Sequence, residues 1–202
     1  MLIRIVNEVK KCVENECFIA ALALAITIPD ICGKAEYPDA GVTERYIKWY
    51  NNYIGKYETS NSSESEDLPY SSGEVIYNLR NSLLHQGNPN IESYKIKEDR
   101  CRADKFRLTI SDVCDGGLSQ ASYVPLKDEQ GQILRNDKGE ICFAIKEKSL
   151  EVNVINLCSK LCRTARGYYV ENKEKFSFFD YELHDIRHQY DSLFTEVDNA
   201  IR

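Results

Sequence analysis

The spacing of apolar residues predicts helices at both ends of the chain and strands between them. Residues 2–14 place apolar side chains three and four positions apart, with Lys and Glu between them, which is typical of an amphipathic helix. Residues 16–28 are apolar on all sides, which predicts a helix in the middle of a bundle, ended by Pro29 and Gly33. An aromatic stripe along residues 42–57 predicts a third helix whose rings belong to the core.

A fourth helix is predicted after a Ser- and Glu-rich stretch. Residues 58–72 contain almost nothing to bury and predict a loop. Ser71 and Glu74 then have the spacing of a capping box, and the helix runs over residues 73–86 until Gly87 ends it.

The pattern changes after Pro89. Residues 105–113 alternate as in a strand, and two short runs on either side of residues 136–139 predict a hairpin. Helical spacing returns at about Ser149 and again from about Leu183 to the end. The apolar stripe of this last segment comprises Ile186, Tyr190, Leu193, Phe194, Val197 and Ile201.

These elements predict the fold class. A length of 202 residues is that of one ordinary domain, so residues 1–202 are taken as a single unit. The expected architecture is mainly α, a helical bundle of about six helices with a small antiparallel β insertion at about 92–148.

Composition favours a soluble protein. The chain is 43% hydrophobic and 29% charged, and its longest uncharged apolar run, residues 17–28, falls short of the roughly 20 residues of a membrane span. The N-terminus lacks the apolar core of a secretory signal. The eight cysteines are dispersed among apolar neighbours, which is typical of free, buried thiols in a reducing compartment. We therefore expect a cytoplasmic protein without membrane contact.

Charge restricts any interaction with nucleic acid to a local surface. The net charge of -6 opposes non-specific binding of a phosphate backbone. One segment has a basic excess and could guide such a backbone past His85; an alternative is a solvated strand edge whose charges prevent sheet addition. Its basic residues are Lys95, Lys97, Arg100, Arg102, Lys105 and Arg107.

The fourth helix contains the most informative residues. Arg80 projects between Ile76 and Leu84 on the apolar side, where a guanidinium is tolerated only if its head finds an anion or a paired acceptor. His85 lies in the last turn, where the helix dipole favours protonation, and Asn81 is four residues before it. A base and an acid near a permanent cation are the minimum for cutting RNA without metal, because RNA carries its own 2′-hydroxyl nucleophile.

The segment from Arg80 and Asn81 to His85 resembles the signature of the HEPN superfamily, an Arg, a polar residue and a His after four to six positions. The resemblance implies a metal-independent ribonuclease with Arg80, Asn81 and His85 as its catalytic residues. It also implies a homodimer through the helix of residues 74–86, a cleft shared by both copies, and cleavage that leaves a cyclic phosphate. Such proteins often act as toxins or phage-defence effectors, which implies an antitoxin or regulatory partner.

Two alternatives stay open. Arg80 could form a buried ion pair and His85 could cap its helix, which would leave a non-catalytic dimerisation domain that binds RNA or protein. Two further pairs of residues have the one-turn spacing of zinc ligands, although unpaired buried thiols and surface histidines explain them without new assumptions and are the favoured reading. These are Cys158 with Cys162 and His184 with His188. No nucleotide-binding loop is present, and no cofactor or metal is implied.

Overall fold

Helices predominate in the computed structural model, which describes residues 1–58, 70–87, 96, 102–111, 119–179 and 181–184. The helices are α1 (Leu2–Glu14), α2 (Phe18–Ala25), α3 (Ile28–Glu36), α4 (Val42–Tyr53), α5 (Gly73–Asn81) and α6 (Val154–Glu171). A small sheet comprises β1 (Lys105–Thr109), β2 (Ser119–Pro125) and β3 (Phe143–Asn153). The described part is thus predominantly helical with a minor β component.

The first predicted helix is confirmed, but the second one is wrong at its end. Helix α2 stops at Ala25, and Pro29 lies in the first turn of α3, where its missing N–H removes no helical hydrogen bond. Gly33 lies inside α3 and does not end a helix. A Cβ at Gly33 would lie 2.6 Å from the carbonyl oxygen of Arg45, so glycine allows α3 and α4 to approach closely.

The same helix pair is joined by an ion pair. Arg45 Nε donates to Asp30 Oδ1 at 2.7 Å, and the two side chains are only 16% and 24% exposed. Gly33 allows the two helices to approach closely, and this ion pair fixes how they are oriented relative to each other.

The prediction that the chain contains no membrane span is not settled by the helices. The helical stretch 18–36 is long and apolar enough to cross a bilayer, and half of its most apolar window is buried within the protein. A core helix of a soluble protein meets the same criteria.

The third predicted helix is confirmed as α4, and its aromatic residues lie in the core. Tyr46, Trp49 and Tyr50 are fully buried. Trp49 contacts Tyr168 of α6 edge-on, with the ring centroids 5.9 Å apart. Aromatic packing therefore joins α4 to α6.

Glu36 forms a polar cluster beside this aromatic core. Its Oε2 accepts hydrogen bonds from Tyr168 Oη at 2.5 Å and from Lys175 Nζ at 2.7 Å. The bond from Lys175, followed by that from Tyr168, holds the pKa of Glu36 below its ordinary value of 4.5.

The sheet differs from the predicted antiparallel insertion. Its strand order is β1-β3-β2, with β1 parallel and β2 antiparallel to β3. Residues 149–153 were predicted as helix but extend β3, where Leu150 is buried opposite Phe106. Helix α6 begins only at Val154, where Asn153 Oδ1 accepts from the amide of Asn156 at 3.2 Å. The sheet therefore continues beyond residue 148, because its pairing overrides the helical spacing of these positions.

The predicted hairpin is confirmed at its turn. Gly139 N donates to the carbonyl of Asn136 at 2.9 Å, and Gly139 adopts a φ of 79° that favours glycine. The two flanking runs are joined by one isolated antiparallel bridge, Arg135–Ile141, while Ile133 pairs with Lys127 and the second run continues into β3 at Phe143.

Two sequence predictions fall largely outside the described residues. Of the predicted loop, residues 59–69 are not described. Of the predicted sixth helix, residues 185–202 are not described, and Leu183 and His184 are exposed without helical structure.

Substitution of Gly33 tests the close approach of α3 and α4. Because the added methyl meets a backbone oxygen, Gly33→Ala is expected to lower the free energy of unfolding by about 1–3 kcal/mol in denaturant titrations. Gly167→Ala is the matched control, since nothing lies within 4 Å of its Cβ position inside α6. It should leave stability unchanged or raise it by up to about 1 kcal/mol. Equal effects of the two substitutions would contradict this packing.

Glu36→Gln tests the polar cluster. Because the folded-state pKa is lowered, Glu36 stabilises the fold above its ordinary pKa, and this contribution is lost as the pH falls through the folded value. The variant should lose about 1–2 kcal/mol at pH 7 and show a flatter dependence of Tm on pH between about 5 and 3. Glu8→Gln, which breaks an exposed pair with Arg4, should change stability by less than about 0.5 kcal/mol.

Candidate anion-binding site on helix α5

The start of α5 is fixed against α4 by close backbone contacts. Ser72 caps the helix by accepting a hydrogen bond from Val75 N at 3.3 Å, so the cap is Ser72 and not the predicted Ser71. Gly73 N donates to Asn51 Oδ1 at 2.7 Å, and a Cβ on Gly73 would lie 2.7 Å from the carbonyl oxygen of Ile47. These contacts set the position of every later residue on α5.

Burial of its apolar face determines which side of α5 points to the core and which side points to solvent. Val75, Ile76 and Leu79 are buried, and they form the apolar face of α5. Arg80 follows them directly and is half-buried. Its guanidinium is therefore partly withdrawn from water.

Arg80 has fewer partners than a buried guanidinium requires. Its Nη1 donates to Asn81 Oδ1 at 3.0 Å, and its Nε is buried without a hydrogen-bond partner. In the described part of the chain no carboxylate pairs with Arg80. An unpartnered N–H on a cation is costly, and an anion that reached it would remove this cost.

The aromatic ring of Tyr77 packs against the guanidinium of Arg80. The Arg80 Cζ lies 5.8 Å from the centroid of the Tyr77 ring, within the range of a cation–π contact. That ring meets Tyr46 edge-on at 5.1 Å, and its hydroxyl accepts from Thr43 Oγ1 at 2.9 Å. Helix α4 therefore holds the platform on which Arg80 lies.

Tyr46 connects this platform to the core. Its hydroxyl donates to the carbonyl of Ile26 at 3.0 Å. Burial raises the pKa of Tyr46 far above its ordinary value, and the charge of Arg80 opposes that rise in part. The ring beneath the site is thus neutral and fixed.

His85 lies in a π-helical turn, Ser82–Gln86, that continues α5. Gly87 N donates to Ser82 O at 2.9 Å, and Gly87 adopts a φ of 61° that ends the helix. Along an α-helix, five residues leave two side chains about 140° apart. A π turn closes over five residues and so moves His85 toward the side of Arg80; such turns are frequent at functional sites.

The site is assembled only in part within one chain. Arg80 and Asn81 are in contact, whereas His85 is exposed and has no hydrogen bond or ion pair with the rest of the described chain. The hypothesis that His85 caps its own helix is therefore not supported by a contact.

Most of the predicted RNA-binding residues lie outside the part of the chain that the structure describes. Lys95, Lys97 and Arg100 lie outside the described residues. Arg102 is exposed, with its Nε 3.6 Å from Asp104 Oδ1. An exposed pair at this distance is weak and leaves Arg102 available to a phosphate.

The alternative zinc site gains no support from the described residues. They contain no group of three metal-ligating side chains, and His188 lies outside them. Burial raises the pKa of Cys158 to about 12 and that of Cys162 to about 11, so both thiols are protonated at neutral pH. His184 is exposed and lies 3.0 Å from Glu182.

Sequence reasoning missed Tyr77 and Thr43. Tyr77 is three residues before Arg80, a spacing that puts two side chains side by side on a helix and was a usable signal. The bond between Thr43 and Tyr77 joins residues 34 positions apart, and no local pattern predicts it.

Comparisons with protein-family models, curated proteins and solved structures return no match for this chain. The resemblance to HEPN proteins therefore depends on Arg80, Asn81 and His85 and on their helical setting.

Replacing Arg80 tests whether the guanidinium serves the fold. Because its Nε is buried without a partner, Arg80→Met is expected to raise the free energy of unfolding or change it by less than about 1 kcal/mol. Arg45→Met is the matched control and should lose about 1–3 kcal/mol, since it leaves Asp30 unpaired. A larger loss for Arg80→Met than for Arg45→Met, measured by denaturant titration, would assign Arg80 to the fold.

Proposed function

We propose that this protein is a metal-independent endoribonuclease of HEPN type, which acts as a homodimer through the helix of residues 74–86. The observation that carries the proposal is the half-buried Arg80, whose Nε has no partner and whose head meets no carboxylate in the described chain. A cation held in this way is suited to an anionic ligand such as the RNA backbone.

Arg80 would stabilise the negative charge that develops on the phosphate. Its contact with Tyr77 and its bond to Asn81 fix the direction of the guanidinium before substrate arrives. Preorganised donors of this kind are among the largest contributions to catalysis. Asn81 would also orient a ribose hydroxyl.

His85 would transfer the protons. The 2′-oxygen forms a bond to phosphorus as a neutral imidazole removes its proton, and the bond to the 5′-oxygen breaks as a protonated imidazole supplies a proton there. The products are a 2′,3′-cyclic phosphate and a 5′-hydroxyl. No external water or metal ion enters this step.

Two copies of the chain would supply the two imidazoles. Within one chain His85 points to solvent at the exposed end of α5, next to the partly exposed Leu84. A two-fold axis near this end would bring together the two His85 side chains and both Arg80 heads. Lys95, Lys97, Arg100 and Arg102 would then guide the RNA toward the shared cleft.

The biological role follows only from the resemblance. A toxin or phage-defence effector that cuts RNA in the cytoplasm would need an antitoxin or regulatory partner to restrain it.

A non-catalytic HEPN-like domain that binds RNA or protein is the second candidate. It is favoured by the separation of His85 from Arg80 and Asn81 within one chain. Binding needs only the cation and its platform, whereas cleavage needs the imidazole as well.

Cleavage of mixed RNA in EDTA tests the proposal. Wild-type protein should produce fragments with cyclic phosphate ends, and Arg80→Met and His85→Gln should each reduce the rate by about 100-fold or more. His184→Gln is the matched control, since His184 is exposed and its ring nitrogen lies 3.0 Å from Glu182. It should cut at the wild-type rate.

Two results would contradict the nuclease proposal. One is an identical RNA pattern for wild type and both site variants. The other is RNA binding that depends on Arg80 without any cleavage, which would favour the binding domain. Measurement of mass in solution adds an independent check, because a monomer at the concentration of the assay would contradict the shared cleft.

A further inference from the structure

A groove of about 540 Å³ lies between α1 and α6, away from the site on α5. Val6, Val9 and Cys158 form its buried floor, and the half-buried Val13 and Cys162 extend that floor. A groove of this size with an apolar floor is suited to an apolar segment or ligand.

Helix α6 presents two faces, and only one of them belongs to the core. The core face comprises Val154, Leu157, Cys158, Leu161, Ala165 and Tyr168. A second face faces the groove and comprises Ile155, Ser159, Cys162, Arg163 and Arg166. Such a second face, part apolar and part basic, is typical of a helix that has a further neighbour.

The rim of the groove is basic. Arg163 and Arg166 are exposed and form no ion pair with the described residues. Lys10 lies on the opposite rim beside Glu14, 3.6 Å away. An occupant with an apolar stripe and acidic flanks would fit this surface.

The chain leaves α6 toward one end of this groove. After α6 it forms a short 3-10 helix, Lys173–Phe176, and Phe179 then lines a second cavity together with Leu2 and Tyr169. Leu2 begins α1 and Tyr169 lies near the end of α6, so Phe179 lies where the two antiparallel helices meet at that end. The 23 residues that remain after Phe179 start beside the groove.

We propose that segment 185–202 binds in the α1–α6 groove as an amphipathic helix, parallel to α1. Its apolar positions recur every three or four residues, and as a helix it would be about 27 Å long, enough to cover the groove between residues 155 and 166. The apolar stripe would cover the valines and Cys162. This inference does not depend on RNA cleavage.

Charge complements the apolar fit. The segment carries four acidic residues against two arginines, and the acidic residues flank the stripe on both sides of a helix. They are Asp185, Asp191, Glu196 and Asp198. They would face the basic rim formed by Arg163, Arg166 and Lys10.

Alkylation of native cysteines in the full chain tests the docking. Leu193→Asp places a charge in the apolar stripe and should raise the rate of Cys162 modification by N-ethylmaleimide at least tenfold. Ser192→Asp adds the same charge on the opposite side of the segment and should leave that rate unchanged. Cys32, fully buried in α3, reports global unfolding and should stay unmodified in both variants. Equal rates at Cys162 in the two variants overturn the proposal.

Zero-length carbodiimide coupling of the wild-type protein provides a second measurement. Lys10 should couple to an acidic residue of segment 185–202, and in a mixture of light and isotopically heavy protein the coupled peptides should be all light or all heavy. Mixed peptides would show that a second copy supplies the segment and would overturn docking within one chain. If Leu193→Asp also exposes Cys32, this coupling decides, and its absence overturns the proposal.

Discussion

The guanidinium of Arg80 is partly buried beside aromatic rings, and it stays there only if other contacts hold α4 and α5 together. Arg80 loses water from its Nε, and in return its Nη1 donates one hydrogen bond to Asn81 Oδ1 and its head lies over the ring of Tyr77. That arrangement persists only because α4 and α5 are held together by other contacts, at Gly73 and at the bond between Thr43 and Tyr77. The packing of the helices therefore holds in place a partly buried cation that has one N–H group without a partner.

Other charged groups in the same core are satisfied, which makes Arg80 distinctive. Arg45 pairs with Asp30, and Glu36 accepts from both Tyr168 and Lys175. A chain that pairs these groups has the means to pair Arg80, and the described residues leave it without an acidic partner. Retention of an unsatisfied cation is consistent with a site that is completed by a ligand.

The sequence predicts a helix correctly where apolar residues recur at regular spacing. It fails where a residue type suits two different structural positions. Helices α1 and α4 follow directly from their stripes. Pro29 and Gly33 read as an ending, but a proline also suits a first turn and a glycine also suits a close contact, which only α4 reveals. Residues 149–153 fit a helix until β1 supplies a pairing partner.

For the candidate site, the position of Arg80 at the edge of the apolar face was predictable, whereas its surroundings were not. The turn at Ser82–Gln86 depends on hydrogen bonds that no residue type specifies. The platform of Tyr77 depends on a partner 34 residues earlier. Local pattern identifies the residues, and tertiary packing decides what they contact.

The position of β3 in the middle of the sheet bears on how the protein matures on the ribosome. Within the described residues both β1 and β2 pair with β3, and α6, which contacts α1, α2 and α3, follows β3 directly. A nascent chain that has emerged as far as the imidazole at position 85 thus still lacks the strand and helix that close its core. The N-terminal helices would therefore lack the strand and helix that complete their core until residue 171, about 85% of the 202 residues, has left the exit tunnel, so their folding waits for the synthesis of α6.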